Sequence, residues 1–238
     1  MTDPNVLRGQ TAPTTADLAA AERITTFLTR TYGWMFAGLL VTAGVATVTA
    51  GSPALLRLIF GHTILFFALI IAQLGLVVWI GRRIETMSPT MAAAIFLGYA
   101  GLTGLTFGGI FAVYTAASLG STFLVTAGMF GSLALYGTLT HRDLRGVGQF
   151  AFMGLIGLIL ASVVGLFWQS DALQFIITVV GVIVFTALTA YKAQMLKSMA
   201  LSAEGEQAQS FAVYGGLTLY LSFVNLFLML LRIFGRRR

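Results

Sequence analysis

The chain has 238 residues, 58% of them hydrophobic and 9% charged, with a mean hydropathy of +0.90, whereas a soluble domain carries roughly a quarter of its residues as charges. This is the composition of an integral membrane protein, and the formal charge of +6 does not indicate nucleic acid, because the basic residues lie beside apolar runs where cytoplasmic loop bias explains them. Cysteine is absent, which excludes disulfides, thiolate metal sites and a thiol nucleophile.

Residues 1–15 are polar, include Pro4 and Pro13, and read as unstructured; nothing there resembles a cleaved signal. From Thr15, taken as an N-cap, an amphipathic helix is expected, with Ile24, Phe27, Leu28 and Thr31 on one face and Glu22, Arg23 and Arg30 opposite. It reads as a membrane-surface lead-in. Seven apolar runs follow, at residues 32–52, 62–80, 91–114, 119–139, 147–168, 172–191 and 211–231. Each is near the ~20 residues that cross a ~30 Å hydrocarbon core. The connections between them, at 53–61, 81–90, 115–118, 140–146 and 169–171, are short, and that at 192–210 is longer and polar. The expected organisation is an N-terminal segment over 1–31 with its lead-in helix, one seven-helix membrane domain over 32–235 and a basic tail at 236–238.

Orientation follows from Lys and Arg in alternate loops. Arg8, Arg23, Arg30, Arg82, Arg83, Arg142, Arg145, Lys192 and Lys197 fall on the N-terminal side, against Arg57 alone on the other, so the N-terminus is expected in the cytoplasm. Seven crossings then put the C-terminus outside, although Arg232 and Arg236, Arg237 and Arg238 would favour the inside. The alternative is a re-entrant run that leaves both ends in the cytoplasm; seven crossings is the reading kept, because the last run is among the cleanest. Gly104 and Gly108 form a small-xxx-small pair in the third run, with Gly101 nearby, and read as close helix packing rather than a phosphate loop. Trp34, Trp79 and Trp168 read as interfacial anchors.

All eight acids, Asp3, Asp17, Glu22, Glu85, Asp143, Asp171, Glu204 and Glu206, fall in the N-terminal segment, in loops or at run ends. A proton relay or carboxylate-lined cation site at mid-membrane therefore lacks its usual groups. There is no HExxH, no GxSxG and no histidine pair at metal spacing, so neither an enzyme nor a cofactor is expected. His62 and His141 read as a polar residue at a span mouth and a loop residue. In the last run Ser222 and Asn225 share a helical face, with Tyr220 near them, and such a stripe turns toward other protein. Lys192 directly follows the sixth run. It reads either as a lysine snorkelling at a cytoplasmic helix end or, if that helix continues through Gln194, as a charge facing the stripe of the last helix.

Several motifs are more specific. Thr140-His141-Arg142-Asp143-Leu144 with Gly146 and Gly148, the preceding Gly120-Ser121-Thr122-Phe123, the first-run segment Ala37-Gly38-Leu39-Leu40-Val41-Thr42-Ala43, and the closing Leu217-Thr218-Leu219-Tyr220-Leu221-Ser222-Phe223-Val224-Asn225-Leu226-Phe227 followed by Leu230-Leu231-Arg232-Ile233-Phe234-Gly235 resemble the bacterial branch of the transmembrane Bax inhibitor motif family. The resemblance implies an all-α fold of seven helices in the bacterial inner membrane, with the C-terminal helix central and wrapped by two three-helix groups. It also implies a pH-sensitive calcium leak, with calcium as the transported ion, or alternatively a regulator of membrane quality control that contacts a membrane protein such as a protease. The family's leak is attributed to two aspartates. Tyr191-Lys192-Ala193-Gln194 has Lys192 at the first position, and Tyr220-Leu221-Ser222-Phe223 has Ser222 at the second. Arg82 and Arg83, near where a latch to that dyad would arise, thereby lose their partner; Arg142 and Asp143 are further candidate loop contacts. The candidate pore or gate is thus Tyr191, Lys192, Gln194, Ser222 and Asn225, with the ammonium repelling calcium and bonded to Ser222 or Asn225; no metal ligands are assigned.

Overall fold

The computed structural model describes residues 14–168 and 170–238, so the polar stretch up to residue 13 lies outside the described residues. The Thr14 hydroxyl accepts from the Asp17 N–H while the Asp17 carboxylate accepts from the Thr14 N–H, a reciprocal cap that opens α1, Thr15–Gly51. The cap is therefore Thr14 and not Thr15, because only Thr14 has an acid three positions on. The lead-in and the first span are one helix of 37 residues. At about 1.5 Å per residue it is ~55 Å long and overruns the bilayer core. Its projecting end is tied down by an ion pair of 2.9 Å between Arg23 Nη2 and Glu204 Oε1.

The connection expected at 53–61 contains a short helix, α2, Pro53–Phe60. Ser52 caps it by accepting from the Leu55 N–H at 3.4 Å, and Pro53 stands in the first turn, where its missing N–H costs nothing. α3, Thr63–Arg83, runs into a 3₁₀ turn at Ile84–Thr86; α4, Pro89–Val113, α5, Ala116–Leu139, and α6, Arg145–Phe167, follow close to the expected runs. α7, Asp171–Ser202, departs furthest, continuing as helix where residues 192–210 were expected to form a loop. The two lysines that end the apolar run do not end the helix, because Lys192 and Lys197 donate to the carbonyls of Thr218 and Thr138 at 3.2 and 3.1 Å. Beside them Ala193, Leu196 and Ala200 keep an apolar face buried. Gly205, at φ 57°, reverses the chain into α8, Gly205–Phe234, in a conformation that favours glycine.

Among the described residues, seven helices are long and apolar enough to cross a membrane. α8 holds sixteen buried residues against one in α3, which makes it the axis. α1 and α4 from the first group of three and α5 and α7 from the second pack on α8; α3 lies outside against α4, and α6 outside against α7. In lipid, helices are joined by close backbone approach and hydrogen bonds more than by apolar burial. A Cβ at Gly216 would lie 2.6 Å from Trp34 Cβ and 3.1 Å from the Met35 nitrogen, so α8 and α1 meet backbone to backbone. One at Gly104 would lie 2.6 Å from Val45, and one at Gly108 would meet Thr49. That pair is a packing seam between α4 and α1, while Gly101 faces open space.

The two ends of the bundle are distinguishable. The Thr115 N–H donates to the Arg236 carbonyl at 3.2 Å, the Arg238 N–H to the Val113 carbonyl at 2.9 Å, and the Arg236 N–H to Ser118 Oγ at 2.9 Å. The tail is thereby paired with the α4–α5 turn, at the end opposite the Arg23–Glu204 contact. The last helix, like the other six long ones, has the length and apolar character to cross a membrane.

Candidate functional site

The inner surface of α8 has two polar faces. One carries Tyr220, whose hydroxyl is 2.7 Å from Thr42 Oγ1, while Thr42 Oγ1 donates to the Ala100 carbonyl at 2.9 Å. The single Thr42 proton is thus committed to Ala100, so Tyr220 donates, and one chain of hydrogen bonds ties α8 to α1 and α4. Tyr220 does not join Ser222 and Asn225, as expected from proximity in sequence: two positions on a helix are about 200° apart.

The other face carries Ser222, 1% exposed. The Lys192 Nζ donates to Ser222 Oγ at 3.0 Å and to the Thr218 carbonyl at 3.2 Å, while Ser222 Oγ itself donates to Thr218 at 3.1 Å. Lys192 therefore bridges α7 to α8, and does not snorkel away from it. Asn225 takes no part in that bridge, since its Nδ2 donates back to the Leu221 carbonyl of its own helix at 2.7 Å. The Thr218 carbonyl, a helix-interior group whose second lone pair takes these bonds, carried no signal in the sequence.

Two residues along α7, Gln194 holds the 140–144 turn. Its Oε1 accepts from the Leu144 N–H at 2.8 Å and its Nε2 donates to the Arg142 carbonyl at 2.7 Å. Asp143 Oδ1 accepts from the Arg145 N–H at 2.9 Å and so starts α6. The Thr-His-Arg-Asp-Leu motif is in this way a turn pinned to α7 through backbone groups. Tyr191 lies against Gly148, where a Cβ would meet its ring. Replacing Gln194 by Ala leaves a backbone donor and acceptor without their partners, at a cost of about 1–3 kcal/mol. The expected result is faster amide exchange at Leu144, with the rest of α7 unchanged.

Arg82 and Arg83 are exposed at the foot of α3. Among the described residues the ion pairs are Arg23–Glu204 and Arg145–Asp143, so neither arginine has a carboxylate within 4 Å. Among the described residues, too, no group of three His, Asp or Glu side chains converges as a metal site would require. The site's chemistry is that of a half-buried ammonium bonded to neutral oxygens.

Comparison with known proteins now identifies the architecture. A family model described as "Inhibitor of apoptosis-promoting Bax1" matches residues 24–238. The inner membrane protein YbhL of Escherichia coli is 50% identical over 216 residues, which cover 90% of this chain and 92% of that protein. An uncharacterised protein of Deinococcus radiodurans is 42% identical over 217 residues (91% and 93% of the two chains), and one of Caulobacter vibrioides 38% over 234 (94% and 93%). With nearly the whole length matched and six spanning helices arranged about a central seventh, the chain is an integral inner membrane protein that belongs to the Bax inhibitor-1-like family.

Proposed function

We propose that this protein is a family member whose calcium pathway is held closed by the Lys192 bridge, and that it works in the membrane through contacts with other membrane proteins and not by catalysis. The observation that carries the reading is the ammonium of Lys192 bonded to Ser222 and Thr218 of the central helix. The resemblance implies a carboxylate at each of positions 192 and 222, drawing a divalent cation toward the contact between α7 and α8. Here a positive charge stands in their stead and repels one. The bridge also fastens the two helices that such a pathway would have to part.

Calcium entry into proteoliposomes at about pH 6 and about pH 8, on either side of the imidazole range, tests this directly. The protein is expected to be silent at both, and Lys192→Asp/Ser222→Asp to conduct. Calcium entry through the unaltered protein as fast as through that variant would remove the reading.

The proposal includes a cytoplasmic N-terminus, supported by the excess of Lys and Arg in alternate loops, which turns the Lys192 end of the bundle to the cytoplasm. The cysteine-free chain makes this easy to check. Glu206→Cys should react with a membrane-impermeant maleimide only after spheroplasts are broken, and Thr115→Cys in intact ones. The reverse pattern would invert the orientation.

A further inference from the structure

Between α6 and α7 runs a groove of about 560 Å³ whose walls change character along the helix axes. Arg145, in the first turn of α6, and Tyr191 and Lys192 on α7 stand toward the end that carries the 140–144 turn. Gln149 lies about a turn deeper, and Phe152 and Leu188 deeper again. Two cations are thus set above an apolar floor, and no carboxylate lines the groove. Asp143 lines the adjoining hollow, with His141 and Arg142, and its carboxylate is 3.8 Å from Arg145 Nε. That arginine side chain is 87% exposed and lines both hollows.

Lys192 has no counter-charge. Its two contacts are neutral oxygens, and among the described residues no carboxylate comes within 4.0 Å of it. An ammonium held at membrane depth without a partner is costly, and an anion in the groove would offset that cost. Phe152, part of the groove's wall, is exposed, as are Met153 and Ile156 further along α6. The sequence of surfaces from end to middle, cationic and then apolar, is the sequence of groups along a phospholipid. A free anion would need the cations but not the floor.

We infer that the α6–α7 groove binds an anionic phospholipid, with Arg145 and Lys192 on its phosphate and Phe152 and Leu188 against an acyl chain. Basic hollows between membrane helices hold such headgroups elsewhere. The inference deepens the closed-bridge reading, on which it partly rests, by naming what neutralises Lys192 while the bridge is made.

The test is native mass spectrometry of the full-length protein in neutral detergent, titrated with phosphatidylglycerol, phosphatidylcholine and soluble glycerol phosphate. Phosphatidylglycerol should be retained and phosphatidylcholine lost. Arg145→Gln and Lys192→Gln should each weaken retention about five-fold and the pair together roughly thirty-fold, the scale of one cationic side chain at an anionic headgroup. Lys192→Arg should restore it, and Arg57→Gln, at the other end of the bundle, should leave it unchanged. Equal retention by the double variant, equal binding of phosphatidylcholine, or displacement of the lipid by glycerol phosphate would each overturn the inference. Arg145→Gln, which leaves the Lys192 bridge intact, provides the readout if the double variant does not fold. Calcium flux is no part of this assay: flux through the unaltered protein would remove the closed pathway and leave the lipid result standing, and loss of lipid binding would do the converse.

Discussion

Ser222→Asp alone is expected to leave the protein silent to calcium, whereas Ser222→Asp combined with Lys192→Asp is expected to conduct. The difference lies in the 3.0 Å between Lys192 Nζ and Ser222 Oγ. A carboxylate introduced at position 222 meets that ammonium at once and becomes half of an ion pair, which fastens α7 to α8 more firmly than a hydroxyl does. The net charge offered to a cation is then near zero. Changing Lys192 as well leaves two carboxylates on facing helices with nothing between them. Each unit of charge acts on a cation at ~4 Å with about 4 kcal/mol at an effective dielectric constant near 20, so a rise in flux of roughly a hundredfold or more is expected. Fluorescent calcium entry into proteoliposomes reads the whole series. A conducting Ser222→Asp single variant would show that the ammonium does not govern the pathway.

Gly137→Val is expected to be the most damaging single change to the fold among the glycines. A Cβ at Gly137 falls on the Ala190 carbonyl group, 2.8 Å from its carbon. The obstacle is backbone on α7, so no side chain can rotate aside, and α5 and α7 must separate along a seam that also aligns Tyr191 and Lys192. Overpacking of this kind costs about 3 kcal/mol, read as a lower midpoint of unfolding in mixed detergent. Gly101→Ala is the control, since a Cβ there meets nothing within 4 Å and improves helix propensity. Equal midpoints for the two variants would mean that α5 and α7 do not meet as described.

The spans were legible in the sequence because a bilayer imposes a length on every apolar run, and all seven runs became helices. What hydropathy could not show was which run lies inside. α3 is at least as apolar as α8, yet it faces outward, because lipid and protein interior reward the same side chains. The centrality of α8 came from the resemblance of its closing motif, and Gly215 and Gly216 give the physical reason. The end of α7 was misread for a related cause. The polar stretch from Lys192 reads in sequence as a loop, but the ammonium groups of Lys192 and Lys197 bond to carbonyls of neighbouring helices, which removes the need for water there. In the candidate site, the Lys192–Ser222 contact followed from reading both replaced positions together; between Ser222 and Asn225 the sequence could not choose, because periodicity gives a face and not the direction in which an amide turns. Gln194 was singled out beside Lys192, but its role in holding the 140–144 turn needed the fold, since its partners are backbone groups fifty or so residues away.

The position of α8 also bears on how the protein is made. It follows the six other spanning helices in the chain, yet α1, α4, α5 and α7 all pack on it. During synthesis those four helices enter the bilayer with their shared partner still missing, and the Thr42 hydroxyl waits for Tyr220 of a helix not yet inserted. The first six spans are therefore an incomplete ring whose open centre exposes polar groups to lipid. Assembly concludes when α8 threads that centre, so a nascent chain stalled before Gly205 would present to membrane chaperones and proteases a set of inserted but unjoined helices, and substitutions at Gly215 or Gly216 would prolong that exposure.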